Sequence, residues 1–225
     1  MKKYTIALLL FTFCTCIYAQ TQEFFPPDYS KIEKNVKDKK STLYFDTLFN
    51  RYTQADSTMT LEEKRHLYYG YSFQDEYSPY GRAEEENKLR ELLQKENADK
   101  KDLEKIIEYT DAILKQYPFS IRMKEYRIYS FRELGKIAEV EKENIQAEII
   151  IDAILSSGDG TKKETCFYVI NTSNEYELLN LLGFDFGGKQ SLIDGGYDYL
   201  TLAKNSYQLE GFYFDVSRCL ESLKF

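Results

Sequence analysis

The chain has no tryptophan and a single histidine, His66, and its 225 residues include only four cysteines. Each shortage removes a class of chemistry. One imidazole excludes a histidine-rich zinc site. A serine or cysteine triad would have to use His66, and no Gly-x-Ser-x-Gly elbow accompanies it. His66 therefore reads as a helix-surface or joint residue. Basic side chains are also scarce: 30 Lys and Arg stand against 37 Asp and Glu, a formal charge of −7. That balance argues against a nucleic-acid partner, which needs a basic surface. Long apolar runs are missing as well. The longest, Ile6 to Phe13, falls short of the about 20 residues that span a bilayer.

That run follows Lys2 and Lys3 and precedes Ile17-Tyr18-Ala19, the pattern of an export signal over residues 1–19 cut before Gln20. Neither Cys14 (after Phe13) nor Cys16 (after Thr15) has the small preceding residue that a lipid-anchored cysteine wants. The expected product is periplasmic or extracellular, with no transmembrane segment. Losing Lys2 and Lys3 takes its formal charge from −7 to −9. Cys166 and Cys219 remain. In an oxidising compartment they would either pair, closing a long loop at a gain of about 3–4 kcal/mol, or stay as buried free thiols.

Tyrosine is abundant, at 20 residues, and suits half-buried interfaces because an apolar ring carries a wet hydroxyl. Thr60 to Tyr80 concentrates it. Thr60 and Glu63 form a capping-box pattern, and Gly70 reads as the left-handed residue that ends the helix. Tyr68, Tyr69, Tyr71, Phe73, Tyr77 and Tyr80 then make either a packed joint between elements or a stacking surface for a ligand.

Around this stretch the pattern is helical. After Pro26-Pro27 an extended leader gives way to a helix over 31–40, with Ile32 and Val36 on one face. Further helices are expected over 43–52, 82–95, 99–117, 120–134 and 137–155. Glu84, Glu85 and Glu86 point different ways on a helix, so they read as a solvated face and not as metal ligands. Asp111-Ala112-Ile113-Leu114 recurs as Asp152-Ala153-Ile154-Leu155, which resembles a tetratricopeptide-type hairpin repeat, though fewer than the three units a stable array needs are present. From Ser156 to Gly160 the pattern changes to strand. Strands are expected over 165–171, 174–184, 191–193, 197–203 and 209–216, with Ser217 capping a last helical turn. The fold class is α+β: a helical region, 20–157, packed on a small antiparallel sheet, 158–225.

Gly183 to Lys189 has the glycine and lysine spacing of a phosphate loop. Gln190 stands where Ser or Thr is required, and no long helix follows. Asp185-Phe186-Gly187 spells a kinase signature without its catalytic loop. Asp194, Asp198 and Asp215 are candidates for a hydrolytic carboxylate pair; the plainer reading is turn and edge aspartates.

Pro27-Asp28-Tyr29, the run from Leu48 through Arg51-Tyr52, Asp56, Thr58 and Thr60 to Glu62-Glu63, and Leu67-Tyr68-Tyr69-Gly70-Tyr71 together resemble an uncharacterised family of exported bacterial proteins, recorded as a domain of unknown function. Tyr213-Phe214-Asp215-Val216-Ser217 fits its ending. The resemblance implies an export signal, a helical half and a β half, and no catalytic residues. The functional expectation is a non-enzymatic envelope module without cofactor or metal. It would bind an envelope protein or a small ligand through residues 68–80 and the helical hairpins. The alternative is a carboxylate-dependent hydrolase acting on envelope glycans or peptides.

Overall fold

The computed structural model describes residues 23–193 and 195–223. The signal segment, Cys14, Cys16 and Asp194 lie outside them. Among the described residues the helices are α1 (Tyr29–Lys37), α2 (Phe45–Thr53), α3 (Leu61–Gly70), α4 (Glu85–Leu93), α5 (Lys100–Gln116), α6 (Ile121–Glu133), α7 (Ile137–Leu155), α8 (Ser173–Leu181) and α9 (Ser217–Glu221). The strands are β1 (Phe167–Tyr168), β2 (Phe186–Ile193), β3 (Tyr197–Leu202) and β4 (Gly211–Asp215). The fold is α+β.

Local chemistry sets the helix starts. Asp28 caps α1 by accepting from Lys31 N at 3.0 Å. Thr60 and Glu63 close the capping box on α3, and Asp99 and Asp102 close another on α5. Ser120 caps α6, and Gly135 ends that helix region at φ +70°. Gly70 corrects the expectation placed on it. Its backbone is right-handed (φ −66°), and the chain continues into a 3₁₀ turn over Tyr71–Phe73. The glycine is needed for close packing instead, because a Cβ there would lie 2.6 Å from Val36 Cγ1 on α1.

Consecutive helices from α4 to α7 pack each on the next, and α7 also packs on α3 and β1. This helical-hairpin scaffold does not establish tetratricopeptide packing. Two corrections fall in the C-terminal part. Residues 174–184, expected as a strand, form α8 and its exit turn. The sheet, expected to be antiparallel, is mixed. Its order is β1-β4-β3-β2, with β1 parallel to β4 and the other pairs antiparallel. β2 is an edge strand whose pairing with β3 is irregular between Phe186 and Gln190. The last helical turn has Val216 at its N-cap with no side-chain cap, and Ser217, expected as the cap, is already helical, its N–H donating to Asp215 Oδ1 at 3.0 Å.

The main core draws on both regions, from Ile32, Leu48 and Tyr68 through Ile150 to Val169, Leu178 and Phe214. Phe119 is its aromatic hub, fully buried, with ring centroids of Tyr71 at 5.2 Å and Tyr52 at 5.3 Å. A smaller cluster of Leu89, Leu92, Leu103, Ile106 and Ile113 holds α4 on α5. No helix of the described residues is long and apolar enough to cross a membrane.

Candidate functional site

Of the six aromatics singled out, Tyr68, Tyr69 and Tyr71 are buried, Phe73 and Tyr77 half-buried, and Tyr80 exposed. The stretch is a joint between elements, and its hydroxyls do the joining. Tyr69 Oη donates to the Ala153 carbonyl at 3.1 Å, and Tyr77 Oη to the Ile170 carbonyl at 2.7 Å. Tyr68 Oη donates to Asn174 Oδ1 at 2.8 Å. His66 serves a joint too. A carbonyl only accepts, so Nδ1 carries the proton donated to Glu62 O at 2.9 Å, and Nε2 accepts from Asn35 at 3.0 Å. Burial lowers its pKa, so the ring is held neutral.

Asn174 and Glu177 on α8 organise a buried polar cluster between the two regions. Asn174 Oδ1 accepts from Tyr68 and, at 2.5 Å, from Tyr117 Oη, while its amide donates to Glu177 Oε2 at 2.6 Å. Glu177 then caps α6 from 56 positions away, accepting from Ser120 Oγ at 2.7 Å and from Ile121 N at 3.0 Å. A carboxylate at a helix N-terminus is favoured by the dipole and by the orphan N–H groups there.

This cluster floors a cleft of about 690 Å³. One wall is α4, with Leu89, Arg90 and Leu93; another is the α5–α6 corner, with Tyr117, Arg122 and Tyr126. The turn Asn171–Ser173 and Tyr176 close the far side, and Tyr80 and Arg82 stand at the rim. Three arginines thus line one cavity of an acidic protein. None of their side chains makes a hydrogen bond or an ion pair among the described residues, though Arg122 exerts a Coulombic pull on Glu125. The two glutamates of the lining are committed elsewhere, Glu177 to α6 and Glu86 to the Ala83 N–H at 3.3 Å.

A second cavity, about 710 Å³, lies among α2, α5, α6 and α7, with Tyr71 and Phe73 on its wall. Most of its cations are paired internally. Arg127 Nε lies 2.6 Å and Lys124 Nζ 2.9 Å from Glu143, and Lys115 lies 3.0 Å from Asp111.

Asp198 and Asp215 do not converge. Asp198 stands opposite Phe214 and Asp215 opposite Tyr197, so the two carboxylates point to opposite faces of the sheet. Asp198 accepts from Gln190 Nε2 at 2.5 Å. Beside it Glu175 on α8 is fully buried, with neither oxygen hydrogen-bonded. Burial, and then the neighbouring Asp198, push Glu175 up to about 9, so it holds its proton at neutral pH. Neither residue lines either cavity.

Gly183–Lys189 forms the exit from α8 and the start of exposed β2, with Lys189 N donating to Thr201 Oγ1 at 3.1 Å. No group of three or more His, Cys, Asp or Glu suited to a metal occurs among the described residues. Cys166 and Cys219 are free and buried.

Sequence reasoning did not single out Phe119, Asn174, Glu177 or the three arginines. Asn174 and Glu177 lie in a segment expected as strand. Arg82, Arg90 and Arg122 come from separate elements, and only the fold brings them together.

A family model described as a domain of unknown function, DUF4919, matches residues 30–224. No curated protein and no solved structure matches the chain.

Proposed function

The chain belongs to the DUF4919 family, and from that premise we propose that it is a non-enzymatic binding module of the cell envelope whose ligand enters the cleft between α4, the α5–α6 corner and α8. One observation carries the reading: three guanidinium groups line that cleft without a carboxylate partner among the described residues. A charge left unpaired at a concave surface is available to a ligand. The polar atoms of the floor are mutually satisfied, which suits holding a molecule more than transforming it. Exported location, expected from the pattern of residues 1–19, supports an envelope role.

The carboxylate-hydrolase alternative has one observation in its favour, the Glu175–Asp198 pair. Glu175 has no exposed surface, and a hydrolytic pair must reach a glycosidic bond and a water.

The test is native mass spectrometry of the purified protein after incubation with the small-molecule fraction of an envelope extract. A stoichiometric non-covalent adduct, lost when Met123→Trp fills the cleft, is the expected result. Turnover of extract components without an adduct would favour the hydrolase.

A further inference from the structure

Resting on that binding reading, and adding the chemistry of the ligand, we propose that the cleft takes a small acidic sugar, a carboxylate or phosphate group attached to a sugar ring. Arg82, Arg90 and Arg122 receive the acid, and the tyrosines of the lining receive the ring.

The acid follows from the arginines. A guanidinium stays charged at any physiological pH, and its planar fork matches the paired oxygens of a carboxylate or phosphate. In a chain of net charge −7, carboxylates are the commonest neighbours an arginine can find. Other arginines of this protein find them: Arg51 bridges Asp56 and Glu63, and Arg127 bridges Glu143 and Asp111. Arg82, Arg90 and Arg122 do not, and they face one cleft from three separate elements. Arg65, held by Ser156 and the Phe25 and Pro26 carbonyls, and Arg132 also lack a carboxylate among the described residues but line neither cavity.

The ring follows from the aromatic residues and the volume. Tyr80, Tyr126 and Tyr176 contribute phenol rings to the lining, and Tyr176 is fixed by its hydroxyl on Gln190 Oε1 and its edge contact with Phe186 at 5.2 Å. The C–H face of a sugar packs on such a ring while its hydroxyls stay with polar groups, here Asn171, Thr172 and Ser173. About 690 Å³ falls in the usual range for small-molecule sites, about 300–1,000 Å³. That volume holds a small molecule, not the surface of a folded partner.

Isothermal titration calorimetry tests this with four probes at low salt: digalacturonate, glucose 6-phosphate, neutral cellobiose and a triglutamate peptide. One or both acidic sugars should bind, the first pointing to a uronic acid and the second to a sugar phosphate, while cellobiose should not. Binding should weaken with added salt and by about tenfold in Arg122→Gln. The Arg122 side chain makes no hydrogen bond among the described residues, so that variant should keep the wild-type melting temperature. Binding of triglutamate in place of both sugars overturns the sugar assignment, and binding of none of the acids overturns the proposal. An Arg82→Gln, Arg90→Gln, Arg122→Gln variant that keeps the envelope-extract adduct would sink the acid while leaving the binding reading intact. No adduct in the wild type would sink both.

Discussion

Glu175 shows how one buried side chain sets a pH dependence for the whole protein. Its carboxyl is pushed up to about 9 by burial and by Asp198, against an ordinary value of 4.5. Between those limits the folded state holds a proton that the unfolded state has lost, so this group's contribution to stability falls as pH rises from about 5 towards 9. Glu175→Gln keeps the shape and removes the titration. Its melting temperature should exceed that of wild type at pH 8, with the gap shrinking towards pH 5; a constant gap would contradict the assignment. The thiols offer a second test at this scale. Burial pushes Cys166 and Cys219 each up to about 12. Iodoacetamide at pH 8 should therefore leave both unmodified in the native protein and label both after denaturation, and a reductant should not move the melting temperature. A drop with reductant would reveal a disulfide.

At the scale of elements, the legible features were those written in local chemistry. The Thr60–Glu63 box was read from residues three positions apart, and the Asp28 and Ser120 caps and the stop at Gly135 that the structure shows are equally local. α8 was not legible because it buries Asn174, Glu175 and Glu177. With polar side chains on its inner face, the helical hydrophobic period is erased and a chance alternation of Tyr176, Leu178 and Leu182 stands out instead. Gly70 was recognised as special for the wrong reason, since a close approach to α1 leaves no trace in the order of residues. Gly70→Ala should cost about 1–3 kcal/mol in urea unfolding even though alanine favours helices. Val36→Ala in the same chain should return part of that loss, because it removes the atom that a Cβ would meet. If the double variant is no better than the sum of the singles, the contact is not the cause.

For the whole molecule, three tyrosine hydroxyls from one short stretch reach across to the other region: Tyr68 to Asn174, Tyr69 to the Tyr168 carbonyl at 3.4 Å, and Tyr77 to Ile170. With core residues drawn from both regions, unfolding should be a single transition, with circular dichroism and tyrosine fluorescence coinciding in urea. Tyr68→Phe removes one of the two hydroxyls donating to Asn174 Oδ1 and leaves the Ile170 N–H without its acceptor, and should shift that one transition by about 1–3 kcal/mol without splitting it. Two separate transitions would mean that the helical and β regions fold alone. The candidate cleft belongs to this scale, which is why no motif announced it. Its arginines are separated by as many as forty positions (82 to 122) and acquire a common purpose only when α4, α6 and the turn after Pro79 are assembled.

β2 has a further consequence. As the last strand of the sheet among the described residues, it leaves a row of backbone donors and acceptors without a neighbouring strand there, the usual template on which proteins at high concentration grow into fibrils. The break in its ladder between Phe186 and Gln190 falls where Gly187, Gly188 and Lys189 sit, with Gly188 at φ +89°. An incoming strand meets a twisted, charged interruption in place of a straight rail. The edge is thereby made a poor seed for its own copies.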